Sequence, residues 1–113
     1  MKYIVAIIQP DRLNEVLELL GEKQVHLVTV SNVLGRGRQK GIAEVYRGHK
    51  EAGALLKKVK LEIAVNDEFV KPAVDAIAKA GRTGNIGDGK IFVLELSQCL
   101  RIRTGETDRA AIG

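Results

Sequence analysis

Apolar and polar residues along this chain follow two periods, and the switches between them mark out its elements. Tyr3–Ile8 is a nearly continuous apolar run, as expected of a strand buried on both faces. Pro10-Asp11 then opens a helix whose Leu13, Val16, Leu17 and Leu20 fall on one side, with Gly21 as its end. Val25–Leu34 is rich in β-branched residues and sets Leu27, Thr29, Ser31 and Val33 against Val28, Val30 and Leu34. From Arg36 to about Ala54 neither period is sustained and Gly37, Gly41, Gly48 and Gly53 punctuate the stretch, so a long loop is expected. Leu56–Val65 alternates again, with Val59, Leu61, Ile63 and Val65 against Lys58, Lys60, Glu62 and Ala64. Asn66-Asp67 starts a second helix, striped by Phe69, Val70, Ala73, Val74, Ile77 and Ala78 up to Gly81, and Lys90–Leu96 is the last strand.

The order βαββαβ contains two βαβ halves. Right-handed crossovers fold such a chain into an α+β, ferredoxin-like domain: a four-stranded antiparallel sheet with both helices on one face. The 113 residues are enough for one such domain and too few for two, so 1–113 is read as a single unit. The strands carry apolar residues on both faces, yet no further helix is predicted to cover the second face, which implies a homo-oligomer packed sheet-inward.

Composition narrows the function. With 45% hydrophobic and 28% charged residues the chain has the make-up of a soluble globular protein. Tyr3–Ile8 is too short to span a membrane, and Gln9-Pro10 closes it before it reaches the length of a signal-peptide core, so no membrane insertion and a cytoplasmic location are expected. The single Cys99 offers neither an internal disulfide nor a CxxC metal spacing. A net charge of +4 permits nucleic-acid binding, but only 36–50 is distinctly basic, and Tyr46 is its one aromatic residue. Anionic small molecules fit better.

Two glycine-basic loops carry the candidate chemistry: Gly35-Arg36-Gly37-Arg38-Gln39-Lys40-Gly41 and Thr83-Gly84-Asn85-Ile86-Gly87-Asp88-Gly89-Lys90. Glycine lets backbone N–H groups turn toward an anion, and lysine and arginine neutralise phosphate oxygens. Neither loop is a standard nucleotide motif. The second matches GxxxxGK, but Ile91 replaces the magnesium-binding hydroxyl and a strand follows where a helix should open. The first misses the dinucleotide GxGxxG spacing by one residue. Ordinary turns are the competing reading of either loop alone; together, at strand ends of one sheet, they point to a shared phosphate cleft.

These loops, with Val45-Tyr46-Arg47-Gly48, Lys58-Val59-Lys60-Leu61-Glu62-Ile63, the extension Ile91-Phe92-Val93 and Arg101-Ile102-Arg103-Thr104-Gly105-Glu106, closely resemble the PII nitrogen-regulatory signal proteins, over Met1 to Ile112. The resemblance implies a homotrimer with three intersubunit clefts that bind ATP or ADP and, with Mg2+ and ATP, 2-oxoglutarate. Residue by residue, it implies that Gly87, Asp88, Gly89 and Lys90 wrap the phosphates beside Gly35, Gly37 and Arg38, joined by Arg101 and Arg103 across a subunit boundary. Ile7, Thr29, Glu62 and Ala64 surround the base and sugar. Gln39 is the magnesium ligand, Lys40 and Gly41 hold the 2-oxo acid by their backbone, and Lys58 pairs with a carboxylate. An amide oxygen, phosphate oxygens and a 2-oxo acid suit the hard, octahedral magnesium ion. The resemblance divides the chain into a 37–55 effector loop, an 83–90 phosphate loop and a 99–113 C-terminal loop. It assigns Tyr46 and Arg47 to contact with a partner, a membrane transporter such as an ammonium channel or a regulated enzyme.

The chain departs from the family at several positions. Glu51 stands where many bacterial members carry a uridylylated tyrosine and has no phenolic hydroxyl to modify; 35–54 also contains no Ser or Thr to phosphorylate. Arg36, Asn85 and Ala64 differ from the family's usual aromatic or aliphatic residue, lysine and larger apolar residue. Two other functions compete. One is a PII-like specialist that binds adenine nucleotides but serves metal efflux or inorganic-carbon uptake, which Glu51 favours and Gln39, Lys40, Gly41 and Lys58 oppose. The other is a small enzyme in which Lys90 or Lys58 polarises a phosphate, although His26 and His49 have no evident catalytic partners and no nucleophile set is legible.

Overall fold

A computed structural model of the chain describes residues 1–37 and 55–113. Its main elements are β1 (Lys2–Ile8), α1 (Leu13–Glu22), β2 (Thr29–Gly35), β3 (Leu56–Val65), α2 (Val70–Gly81), β4 (Lys90–Glu95) and the short α3 (Asp108–Ile112). The strands form one sheet in the order β2-β3-β1-β4, every pair antiparallel. This is the ferredoxin-like arrangement expected from the βαββαβ pattern.

The two halves enter their helices alike. β1 leads through the 3-10 turn Pro10–Arg12 into α1, and β3 leads through Asp67–Phe69 into α2. Pro10 suits the turn because its missing N–H is one that a helix start leaves unpaired. α1 and α2 lie side by side on one sheet face. The Arg12 guanidinium ties the halves together by donating to the Ala80 carbonyl at 2.8 Å, one of the acceptors left open at the end of α2.

The core lies between helices and sheet. Ile4, Ala6 and Ile8 of β1 and Val59, Leu61, Ile63 and Val65 of β3 meet Val16 and Leu20 of α1 and Ala73, Ala76, Ile77 and Ala80 of α2. Two members of the expected helical stripes change. Leu19 rather than Leu17 packs on this cluster, and Ala76 and Ala80 are buried whereas Ala78 is exposed. In α2 the buried set 73, 76, 77 and 80 follows the i, i+3, i+4, i+7 spacing of a single helix face.

Two boundaries also differ from the sequence expectation. α1 runs past Gly21 to Glu22, and the reversal comes at Gln24, whose φ is 65°. The Gln24 N–H donates to the Gly21 carbonyl at 3.1 Å and the Val25 N–H to the Leu20 carbonyl at 3.0 Å, the paired bonds of a Schellman motif with glutamine in the left-handed position. Val25 is therefore consumed in ending the helix, its side chain joining Leu20 in the core, and β2 begins only at Thr29.

The opposite sheet face carries Tyr3, Val5 and Ile7 of β1, next to Phe92 and Leu94 of β4, by the alternation and register of the strands. Phe92 and Leu94 are each about half exposed in the single chain. Beyond β4, a bridge between Leu100 and Thr107 closes a short hairpin with Ile102 at its exposed tip, before α3. Among the described residues, no helix is long and apolar enough to cross a membrane.

Candidate functional site

One cleft of about 640 Å³ opens where all four strands and the 83–90 loop meet. Ile7 from the end of β1, Gly35, Arg36 and Gly37 from the end of β2, and Leu56 and Lys58 from the start of β3 form one wall. Ile86, Gly87, Gly89, Lys90 and Phe92 complete it. Register places these residues together: Gly35 pairs with Leu56, and Ile7 pairs with Lys90.

The 83–90 loop takes its shape from glycine. Gly84, Gly87 and Gly89 have φ of 90°, 102° and 101°, the left-handed region that side chains disfavour. At Gly89 there is no room for a side chain at all, since a Cβ would stand 1.7 Å from the Ile7 carbonyl oxygen. Asp88 holds the loop together from inside. Its Oδ2 accepts the N–H of Thr83 at 2.8 Å and of Gly84 at 2.9 Å, and its Oδ1 accepts the Thr83 hydroxyl. These donors, the Thr83 hydroxyl foremost, hold the Asp88 carboxyl below the usual carboxylate range.

Lys58 links the loop to the sheet. Its side chain is largely buried, and Nζ donates to the Gly87 carbonyl at 2.9 Å. Burial pushes the Lys58 ammonium below its ordinary value, while the charge of Asp88 works in the opposite direction. With Lys90 beside it, the cleft offers cations, left-handed glycines and an apolar floor of Ile7 and Phe92. Such a lining suits a phosphorylated ligand with a flat apolar part. It fits anions better than a bare metal ion, because no described carboxylate lines it.

The structure thus brings together Ile7, Gly35, Gly37, Lys58, Gly87, Gly89 and Lys90. Asp88 belongs to the same loop, but its carboxylate is engaged within it. Thr29, Glu62 and Ala64 lie further along the open face, where Thr29 pairs with Glu62 across β2 and β3, and Ala64 pairs with Tyr3. The Tyr3 hydroxyl donates to Glu62, which lowers the Glu62 pKa and raises that of the tyrosine. Arg101 and Arg103 stand outside this chain's own cleft. The Arg101 guanidinium donates to the Ala111 carbonyl at 3.0 Å and lies 3.8 Å from Glu106. Arg38, Gln39, Lys40, Gly41, Tyr46, Arg47 and Glu51 fall outside the described residues. Sequence reasoning missed Thr83 as the partner of Asp88 and did not foresee the Lys58–Gly87 bond. The first had a faint signal, a hydroxyl residue and a carboxylate flanking a glycine turn; the second joins residues 29 positions apart and had none.

The family model for nitrogen regulatory protein P-II matches residues 1–106. The chain is 52% identical to a nitrogen regulatory protein P-II of Rhizobium etli over 112 residues, covering 99% of this chain and all of that protein. It is 51% identical to nitrogen regulatory protein P-II 2 of Methanothermobacter thermautotrophicus, over 99% of this chain and 97% of the relative. Identity to the nitrogen regulatory protein GlnK of Escherichia coli is 47%, over 99% of this chain and the whole of that protein.

Proposed function

Because the chain belongs to the nitrogen regulatory protein P-II family, we propose that it is a trimeric, non-catalytic signal protein of the cytoplasm that binds ATP or ADP and, with Mg-ATP, 2-oxoglutarate. The observation that carries this reading is the cleft in which Lys58, Lys90 and the glycines of the 83–90 loop converge on the apolar floor of Ile7 and Phe92. Phosphates would lie against Gly87, Gly89 and Lys90. The base would extend along the open face toward Thr29, Glu62 and Ala64. The half-exposed Phe92 and Leu94 support assembly through that sheet face, which would bring Arg101 and Arg103 of a neighbouring subunit to the phosphates.

Mg2+, held by Gln39 and the phosphates, would make 2-oxoglutarate binding depend on ATP, with Lys58 facing one of its carboxylates. ATP with 2-oxoglutarate and ADP without it would then favour different arrangements of the 37–55 segment, which presents Tyr46 and Arg47 to a target such as an ammonium channel. The specialist alternative, serving another transporter or enzyme, rests on Glu51.

The test is calorimetric titration of 2-oxoglutarate with Mg-ATP, with Mg-ADP and without nucleotide, with Gln39→Ala as control. Saturable binding only with Mg-ATP, abolished by the substitution, is the expected result. Nucleotide binding without any 2-oxoglutarate response would refute the sensor reading and favour the specialist; steady nucleotide turnover abolished by Lys90→Ala would favour an enzyme.

A further inference from the structure

We propose that Asp88 and Thr83 are positioning residues of the nucleotide site, clasping the 83–90 loop in its binding shape without touching the phosphates; this rests on the nucleotide-binding reading above. Asp88 sits between two glycines that line the cleft, yet it does not line the cleft itself; it lines a neighbouring cavity with Ile77, Gly81 and Arg82, which shares Ile7, Gly89 and Lys90 with the cleft. Both of its carboxylate oxygens are engaged by Thr83 and Gly84. A carboxylate facing the cleft would repel phosphate oxygens. Bonded to Thr83 and Gly84 instead, it ties the end of the loop to its start.

The clasp also has a fixed anchor. Thr83 follows Arg82, the extended residue that ends α2, and its hydroxyl oxygen accepts the Asn85 N–H at 3.2 Å while donating to Asp88. The clasp therefore holds the loop to the end of a packed helix. Gly84, Gly87 and Gly89 give this segment more conformational freedom than any other residue type would. Unclasped, the loop would have to lose that freedom when ligand binds; clasped, it has lost it on folding.

ATP and adenosine affinities of the full chain, with adenosine read by competition, test the assignment in wild type, Asp88→Ala, Asp88→Asn, Thr83→Val and the Thr83→Val/Asp88→Ala double variant. Asp88→Ala is expected to weaken ATP binding about tenfold or more, with adenosine unchanged. Asp88→Asn keeps an acceptor for both N–H groups and should stay within about threefold of wild type. The double variant should bind ATP no more weakly than Asp88→Ala alone, because the two residues act as one clasp. Equal or tighter ATP binding by Asp88→Ala would overturn the proposal, since an anion beside the phosphates behaves that way. So would parallel losses of ATP and adenosine, a mark of general misfolding, or additive losses in the double variant. Wild-type protein that binds no ATP would overturn the nucleotide reading itself, and this proposal with it.

Discussion

The close approach of Gly89 to β1 yields a quantitative prediction. Gly84→Ala and Gly89→Ala place the same methyl group on residues with nearly the same backbone conformation, φ 90° and 101°. At Gly84 the new Cβ meets nothing within 4 Å, so only the conformational penalty applies, about 1–2 kcal/mol for a side chain in the left-handed region. At Gly89 the Cβ would stand 1.7 Å from the Ile7 carbonyl oxygen and 2.7 Å from its carbon, where real contacts keep beyond 3.0 Å. That neighbour is strand backbone hydrogen-bonded on both sides and cannot rotate away. The loop must retreat, adding the roughly 1–3 kcal/mol typical of overpacking, for a total of about 2–5 kcal/mol. Urea unfolding of both variants at one fixed protein concentration reads the difference from the midpoints at a common slope. Calorimetry with ATP reads the consequence for the site: because Gly89 and Lys90 share the retreating segment, Gly89→Ala should lose far more ATP affinity than Gly84→Ala. Equal destabilisation of the two variants would refute the claim that contact with Ile7 fixes the loop.

Gln24→Gly relieves the left-handed strain at the end of α1 and should raise stability by about 1 kcal/mol, measured as a shift of the urea midpoint. Leu20→Ala empties a fully buried position between helices and sheet and should cost about 2–5 kcal/mol by the same assay. The carboxyls of Glu62 and Asp88 are held below their ordinary values of 4.5 and 3.8, so the stability they contribute is full above those values and is lost as pH falls through the lower folded ones; the Tyr3 hydroxyl, raised from 10.0, contributes below that pH and loses its contribution above it. Thermal unfolding from pH 7 toward pH 3 should therefore show a decline beginning near the ordinary carboxylate range, smaller in Glu62→Gln.

The strands and helices were legible because each element carries one clean period. β3 alternates, and its buried apolar set is the expected one, Val59, Leu61, Ile63 and Val65, with Lys58 buried as well on the other face. The misreadings came at the end of α1, where the hydrogen bonds that close the helix overrode single-residue preferences. Gly21 reads as a helix end, yet the chain spends it inside α1, where a Cβ would lie 3.9 Å from the His26 ring, and a glutamine takes the left-handed position instead. Val25 reads as strand because it is β-branched, but its N–H closes the helix. At the site, the glycine loop was visible as composition, whereas its closure depends on an aspartate whose partner is set by the turn, and its attachment to the sheet depends on a lysine 29 residues away.

The position of the cleft bears on how a ligand would act at a distance. Gly35 and Leu56 pair as the last rung of the β2–β3 ladder, and the chain between them is the segment that our reading makes the effector. Both anchors of that segment line the cleft, and Lys58, two residues past Leu56, donates to the loop that would hold the phosphates. A ligand there would touch the base of the segment from both sides and compete for, or strengthen, the bond by which β3 holds the 83–90 loop. Signalling then needs no long pathway through the core, whose helices pack on the other face of the sheet. This predicts that substitutions at Leu20 or Ile77, however costly to stability, leave the ratio of ATP to ADP affinity unchanged, whereas Lys58→Met alters that ratio while the core stays intact. A Lys58→Met protein whose ATP-to-ADP ratio matched wild type would show that the two ligands are told apart elsewhere.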